Sequence, residues 1–200
     1  MLPQSPLAAS ARGFAIRRAT LADVDAFSAF GRRVAIETFA AENDPRDFGL
    51  YLEATFGPAQ QEAEIADHTG AVLLAEAAGE LAGYVYVRAV PAPECVEGQR
   101  PVEIARLYVA AAWHGRAVAR ALMAAAAAEA QRRGGQTLWL GVWERNPRAI
   151  AFYAKCGFRD VGSHVFMIGT DAQTDRLMPA PAETVARLTA PAADQAEPAG

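Results

Sequence analysis

The spacing of hydrophobic residues changes from helical to strand-like within the first half of the chain. Apolar residues between Leu21 and Phe39 recur every three to five positions, which predicts a helix with one buried face. Asn43-Asp44-Pro45 breaks this pattern, and from residue 71 two apolar runs flank a short Ala-Gly-Glu turn, as in an antiparallel hairpin. The elements predicted here are a strand at 14–18, helices at 21–39, 46–56 and 58–68, and strands at 71–76 and 81–88.

The second half alternates strands with helices. Gly134-Gly135 ends a long helix, and Asn146-Pro147 supplies an N-cap and a first-turn proline for a shorter helix that Gly157 closes. The predicted strands are 102–109, 137–142, 161–168 and 175–178, and the long helix is 115–133. Together, these strands and helices predict one mixed α/β domain over residues 14–178. We expect residues 1–13 to be a flexible N-terminus and the Pro- and Ala-rich residues 179–200 to be a disordered tail.

Composition and charge exclude several classes of protein. The 200 residues are 52% hydrophobic, which is enough to build a core without crosslinks, and the net charge of -4 argues against a nucleic-acid binder. No apolar stretch approaches the roughly 20 residues that cross a bilayer, and the N-terminus does not resemble a signal peptide. Cys95 and Cys156 lack the spacing of a metal or disulfide motif. We therefore expect a cytoplasmic protein with no metal, no nucleic-acid partner and no membrane association.

The segment from Leu107 to Arg120 has the pattern of a phosphate-binding connection. It runs from an apolar strand through a short loop into a helix whose first turn contains small residues. Unpaired N–H groups at a helix N-terminus attract phosphate, and small side chains let a diphosphate approach the backbone; Arg116 and Arg120 can add positive charge. By spacing alone, an ordinary strand-to-helix connection in an alanine-rich chain is an equal interpretation.

Two motifs resemble those of the GNAT acetyltransferases. Residues 114–119, His-Gly-Arg-Ala-Val-Ala, resemble the coenzyme A motif (Gln/Arg)-x-x-Gly-x-(Gly/Ala). His114 replaces the usual Gln or Arg, and Ala117 replaces the usual Gly and adds a methyl near the expected pyrophosphate path. Because helical backbone angles do not require Gly, we expect binding to survive this change. The second motif, Asn-x-x-Ala-x-x-Phe-Tyr-x-x-x-Gly-Phe, is matched by Asn146, Ala149, Phe152, Tyr153, Gly157 and Phe158.

A closer resemblance, over residues 18–178, is to PaiA-type spermidine/spermine N-acetyltransferases, and its most distinctive part is residues 139–144, Trp-Leu-Gly-Val-Trp-Glu. It implies the GNAT fold, an α/β (α+β) fold in which helices flank a mainly antiparallel sheet of about seven strands, splayed open between strands 4 and 5. It also implies acetyl-CoA as cosubstrate in that opening and a small-molecule amine, a polyamine, as acceptor. Homodimers are frequent among similar proteins, and nothing in this sequence identifies an interface. The coenzyme-binding residues implied by the resemblance are Leu107, Tyr108, Val109, His114, Gly115, Arg116, Ala117, Val118, Ala119, Arg120, Asn146, Phe152 and Lys155.

Acetyl transfer to an amine needs a base and an acid. An aliphatic amine has a pKa of about 10.4, so at pH 7 nearly every acceptor molecule is protonated. Glu103 matches an acidic position that GNAT enzymes often use as general base, although an exposed strand carboxylate is an equal interpretation. Tyr153 is the expected acid that protonates the departing thiolate, and His114 is an alternative base. Asn146 can cap its helix or contact the pantetheine, and Lys155 can meet a phosphate or remain solvated.

Carboxylates and aromatic rings in the first two helices and after the fifth strand suit a cationic acceptor with a methylene stem. The candidates are Glu37, Phe39, Glu42, Tyr51, Glu53, Trp143 and Glu144. The predicted function is transfer of acetyl from acetyl-CoA to spermidine or spermine. The alternatives are the same chemistry on peptide, protein or other small amines, and a non-catalytic acetyl-CoA sensor.

Overall fold

A computed structural model describes residues 13–190, and the expectations for residues 1–12 and 191–200 lie outside it. Its strands are β1 (Ala15–Arg18), β2 (Gly70–Ala77), β3 (Glu80–Arg88), β4 (Pro101–Val109), β5 (Thr137–Trp143), β6 (Gly162–Ile168) and β7 (Asp171–Pro181). Its α-helices are α1 (Val24–Phe39), α2 (Pro45–Phe56), α3 (Pro58–Ala66), α4 (Val118–Arg132), α5 (Pro147–Lys155) and α6 (Ala182–Thr189). The predicted alternation of strands and helices is confirmed.

Local capping explains where two helices begin. The Asp44 carboxylate accepts hydrogen bonds from the N–H groups of Arg46 (2.9 Å) and Asp47 (3.1 Å), and Pro45 occupies the first turn of α2. The Asn146 amide oxygen accepts from Ala149 N–H at 3.1 Å at the start of α5. Helix α5 therefore starts at the predicted Pro147, and α2 starts at Pro45, one residue before the predicted Arg46.

The seven strands form one sheet in the order β1-β2-β3-β4-β5-β7-β6. All neighbouring pairs are antiparallel except β4 and β5, which are parallel. Pairing between β4 and β5 stops after Glu103 and Trp139, whereas β4 stays paired to β3 as far as Val109 and β5 stays paired to β7 as far as Trp143. The carboxyl-terminal parts of β4 and β5 therefore diverge, and the predicted opening between strands 4 and 5 is confirmed.

Helices cover both faces of the sheet. On one face, Ala126, Ala127 and Ala130 of α4 are fully buried, so the helix backbone can approach β2, β3 and β4 closely. On the other face, Phe27 and Phe30 of α1 pack their rings edge-on against Tyr84 of β3 at 4.7 and 6.0 Å between centroids. The opening between β4 and β5 is thus bounded by α4 and α5 on one face and by α1 and α2 on the other.

Two expected boundaries were wrong. Helix α4 begins at Val118 rather than Gly115, because residues 114–117 form turns that precede it. The folded domain also continues past residue 178: β7 extends to Pro181, and α6 follows with Val185 buried against the core that contains α4. The ring of Pro181 suits the position before a helix, and the apolar spacing of α6 gives it one buried face.

Candidate active site

The wide end of the opening exposes the edges of two strands. Residues 104–109 of β4 have no ladder partner on the β5 side, and residues 140–143 of β5 have none on the β4 side. Backbone N–H and C=O groups along these edges are therefore available to an extended, amide-containing molecule. Leu107, Tyr108 and Val109, predicted to contact the pantetheine, lie on this edge and are half-buried.

The loop after β4 exposes backbone donors at the same end. The first backbone hydrogen bond of α4 runs from Ala121 N–H to Ala117 C=O at 3.0 Å, so the N–H groups of Val118, Ala119 and Arg120 point out of the helix end. A Cβ atom added at Gly115 would meet nothing within 4 Å. Exposed donors, small side chains and the positive end of a helix dipole fit a diphosphate.

Ala117 has a backbone conformation that the sequence argument did not foresee. Its φ is +64° and its ψ is 3°, in the left-handed region, immediately before the first helical residue. The expectation that this position is helical was wrong. A non-glycine residue in this left-handed conformation carries a steric cost of roughly 1–2 kcal/mol. The usual Gly at this motif position would avoid that cost.

The side chains around the loop have partners within the protein. His114 Nε2 lies 3.0 Å from the carbonyl oxygen of Val109, and the Arg116 guanidinium lies 5.4 Å from the ring centroid of Trp113. Arg120 donates to the carbonyl oxygens of Leu188 (2.9 Å) and Ala190 (3.0 Å), at the end of α6. The Arg120 side chain is therefore hydrogen-bonded to the end of α6, and this geometry does not support its expected role at a phosphate. The backbone, rather than these side chains, supplies the donors.

Tyr153 lies on α5 within the core that flanks the opening. It is 9% exposed and contacts the rings of Phe152 and Phe158 at 5.5 and 5.9 Å between centroids. Burial raises its pKa, so the phenol retains its proton at neutral pH. Phe152 is half-buried, Lys155 is exposed in the last turn, and the Asn146 side chain is used as the N-cap. Tyr153 thus has the protonation state of a general acid.

Glu103 occupies the last β4–β5 pair, at the narrow end of the opening. Its carboxylate accepts a hydrogen bond from Arg88 Nε at 2.5 Å, and its side chain is 13% exposed. Arg88 is its cross-strand partner on β3. The Glu103 carboxylate is therefore already engaged in an ion pair within the sheet.

Aromatic side chains line the face of the opening that α1 and α2 cover. The Phe39 ring lies 6.1 Å from that of Trp143 and 6.3 Å from that of Tyr108, which connects α1 to both diverging strands. Tyr51 of α2 packs 6.0 Å from Phe166 of β6. Phe39 and Tyr51 pack against one apolar cluster, and Trp143 adjoins it through Phe39. Glu37 is exposed beside Arg33 at 3.7 Å.

An open cleft of about 140 Å³ adjoins this aromatic surface. It is formed by the short 3-10 helix after α1, the end of β5 with the two residues that follow it, and the start of β7. Its lining residues are Glu42, Trp143, Glu144, Arg145, Asp171, Ala172, Gln173 and Thr174. Glu42, Trp143 and Glu144 were sequence candidates, and Glu53 is not among the lining residues. Asp171 was missed because only the β6–β7 pairing brings it here.

A buried ion pair beneath the aromatic surface was also missed. Arg106 of β4 contacts Glu64 of α3, donates to the Thr55 carbonyl at 3.2 Å, and lies 5.4 Å from the ring centroids of both Phe56 and Tyr86. An arginine within a mostly apolar strand was the signal available in the sequence. The pair fixes α3 to β4 and so supports the α1–α2 side of the opening.

Residues 13–190 contain no group of three His, Cys, Asp or Glu side chains placed to hold a metal ion. Within the same span, every helix is too short or too polar to cross a bilayer.

A splayed sheet, a donor-lined strand-to-helix loop and a buried tyrosine beside the opening define a transferase that uses an acyl-coenzyme A. The family described as acetyltransferase (GNAT) matches residues 34–158, more than half of the chain. An uncharacterized N-acetyltransferase of Lactobacillus delbrueckii subsp. lactis is 32% identical over 156 residues, covering 78% of this chain and 90% of that protein. An uncharacterized N-acetyltransferase of Mycobacterium tuberculosis is 32% identical over 135 residues, covering 67% and 81%. This chain belongs to the GNAT family and is an acetyl-CoA-dependent N-acetyltransferase.

Solved structures share the fold. The PaiA N-acetyltransferase of Thermoplasma acidophilum, in complex with coenzyme A, superposes with a TM-score of 0.69 at 17% identity over 84% of this chain and 98% of that chain. The yncA protein of Salmonella typhimurium, solved with acetyl-CoA, has a TM-score of 0.59 at 22% identity over 85% and 94%. At these identities the likeness concerns the fold. GNAT enzymes act on amines of small molecules or peptides, and the choice of acceptor depends on this chain's own side chains.

Proposed function

We propose that the acceptor of this N-acetyltransferase is a polyamine such as spermidine or spermine. The observation that carries the proposal is the acidic cleft at the end of β5. Three carboxylates, from Glu42, Glu144 and Asp171, face one guanidinium, from Arg145, which leaves a formal charge of -2 among these lining residues. Two unit charges about 4 Å apart in water attract by about 1 kcal/mol, so such a cleft favours an acceptor with more than one ammonium group.

The aromatic surface supports the same acceptor class. Trp143 lines the cleft at the end of β5, and Phe39 lies next to it and to Tyr108 of β4, where the methylene chain of a polyamine would pass. Aromatic faces attract ammonium groups and cover apolar stems. In this arrangement one terminal amine enters the opening while a second ammonium remains in the cleft.

The reaction is direct attack of the free amine on the thioester. The backbone N–H groups of residues 107–109 would hold the pantetheine and polarise the acetyl carbonyl, and the donors at the start of α4 would hold the diphosphate. Tyr153 donates its proton to the departing sulfur. Glu103 is the base that the sequence predicts, and Arg88 holds its carboxylate in an ion pair.

Release of free thiol from acetyl-CoA tests the acceptor. The panel is spermidine, spermine, a lysine-containing peptide, a peptide with a free N-terminus, and butylamine as a monoamine of similar basicity. We expect kcat/KM for the two polyamines to exceed that for butylamine by about tenfold, since a second ammonium gains one to two ion pairs of about 1 kcal/mol. Higher kcat/KM for a peptide than for the polyamines would show that the acceptor is a peptide. Binding of acetyl-CoA without turnover of any amine would indicate a sensor.

A further inference from the structure

A glycine on β5 leaves room for two polar side chains at the opening. Gly141 lies two residues beyond Trp139, where pairing with β4 ends. A Cβ atom placed on it would lie 3.2 Å from Asp175 Oδ2 and 3.3 Å from His164 Nε2. Alternation along the strand puts residue 141 on the same face as Trp143, which contacts Phe39. The two polar groups therefore reach the side of the opening that the aromatic surface covers.

His164 and Asp175 are cross-strand partners on β6 and β7. His164 Nε2 lies 3.9 Å from Asp175 Oδ2, an ion-pair separation rather than a hydrogen bond. The Asp175 side chain is 16% exposed and the His164 side chain is 41% exposed, so the carboxylate is mostly buried and the imidazole is partly exposed to solvent. Burial raises the pKa of Asp175 above its usual value, although the neighbouring His164 acts to lower it. A carboxylate beside an imidazole can orient the ring.

The other charged and titratable groups near this pair leave His164 with one ionic partner. Gly141 of β5 has no side chain, and Arg176, next to Asp175 on β7, is paired with Asp160 at 2.7 Å. On α2, Asp47 is bound to the Thr170 hydroxyl at 2.6 Å, and Tyr51 is a neutral phenol whose pKa burial raises. Asp175 is thus the charge that acts on the imidazole.

We propose that His164, positioned by Asp175, is the group that removes the proton from the acceptor ammonium; this proposal rests on the proposed function. The imidazole nitrogen takes one proton from the ammonium, which leaves a neutral amine with a free electron pair. That pair forms the nitrogen–carbon bond to the acetyl group as the carbon–sulfur bond breaks, and the sulfur receives the proton of Tyr153. The second proton of the attacking nitrogen passes to solvent, and His164 and Tyr153 then exchange protons with water. Glu103 remains in its ion pair with Arg88.

Three single variants test the proton acceptor under the thiol-release assay with spermidine. His164→Gln keeps a polar side chain and removes the titrating ring, Glu103→Gln removes the competing base, and His68→Gln is the matched control because His68 is exposed in the turn between α3 and β2. At pH 7 we expect kcat/KM to fall about 100-fold for His164→Gln and less than tenfold for Glu103→Gln, with no change for His68→Gln. The deficit of His164→Gln should shrink towards pH 10, where the free amine is abundant.

Asp175→Asn tests the positioning residue, with Asp160→Asn on the neighbouring exposed ion pair as its control. We expect kcat to fall about tenfold with little change in KM for spermidine or in Tm, and the loss to disappear near pH 10. Added imidazole should restore part of the activity of a His164→Ala variant, which a purely structural histidine would not allow. The inference is overturned if Glu103→Gln is the more damaged enzyme, or if the His164→Gln deficit is the same at pH 7 and pH 10. Absence of polyamine turnover by the wild-type protein would instead remove the proposed function.

Discussion

The two sides of the opening between β4 and β5 present different chemical groups. The β4–α4 side offers backbone N–H groups, alanines and a buried apolar helix, whereas the opposite side offers the side chains of Phe39, Trp143, His164 and Asp175. Backbone donors recognise a diphosphate and an amide-containing arm that every acyl-coenzyme A possesses. Side chains can vary without disturbing the fold, so under the proposed function this second side selects the acceptor.

The largest effect is expected at Tyr153 of α5, in the core that also contains α4. Tyr153→Phe removes the proton donor while keeping the ring, so single-turnover acetyl transfer should fall by about 100-fold or more, roughly 3 kcal/mol. Coenzyme A affinity, measured by calorimetry, should change less than threefold. Tyr86→Phe on β3 is the matched control and should leave both quantities unchanged. Loss of coenzyme affinity with normal single-turnover chemistry would contradict the acid role.

The coenzyme side depends on α4 being fixed to the sheet through Glu129. Its carboxylate accepts from Arg18 (3.1 Å), Arg132 (2.7 Å) and Arg133 (2.7 Å). Burial acts to raise the pKa of Glu129, but the arginines outweigh it and lower the pKa to about 2. Since a free glutamate titrates near 4.3, this stabilisation is complete above about pH 4.5 and is lost as the pH falls through about 2.

Glu129→Gln should therefore lower the free energy of unfolding by about 2 kcal/mol at pH 7 in denaturant titrations. The difference from wild type should narrow as the pH falls below 4.5. Glu62→Gln on the exposed surface of α3 is the control. A difference that is the same at pH 7 and pH 3 would show that lost packing, rather than charge, accounts for the effect.

The acceptor side should respond to charge without affecting the coenzyme. Glu42→Gln and Glu144→Gln should each raise KM for spermidine several-fold, about 1 kcal/mol, and leave KM for acetyl-CoA unchanged. The effect should weaken at high ionic strength because the cleft is open. Glu37→Gln, which changes a carboxylate outside the cleft, is the matched control. An equal effect at Glu37 would indicate general surface attraction rather than a site.

The smallest effect concerns the backbone at Ala117. Ala117→Gly should raise the free energy of unfolding by up to about 1 kcal/mol, because glycine adopts a positive φ without steric cost. Ala119→Gly, two residues later within α4, should lower it by about 1 kcal/mol through lost helix propensity. Thermal melts of the two variants should therefore shift in opposite directions. Shifts in the same direction would contradict the left-handed conformation at residue 117.

The fold was predictable because its signals are local. The apolar spacing of residues 21–39, the capping pair Asn146-Pro147 and the hairpin turn at 78–80 each specify an element from neighbouring residues alone. The motifs around Gly115 and Tyr153 carried the resemblance that predicted the opening between β4 and β5. These features do not depend on which acceptor the enzyme uses.

The rest depends on contacts between residues distant in sequence. Nothing near Glu103 indicates that Arg88 will face it across a strand, and nothing near His164 indicates that Gly141 leaves it space. Helix α6 was not predicted because its composition resembles that of the Pro- and Ala-rich residues after it. Its helical structure is stabilised by packing against α4. Ala117 was misread because the helix was placed three residues too early.

A crystal structure of the protein with coenzyme A tests the central claim most directly. The account predicts that the diphosphate lies within hydrogen-bonding distance of the N–H groups of Val118, Ala119 and Arg120. It also predicts that the pantetheine lies along residues 107–109, with its sulfur next to the Tyr153 hydroxyl. A coenzyme bound elsewhere, or an opening filled by the protein's own side chains, would contradict it.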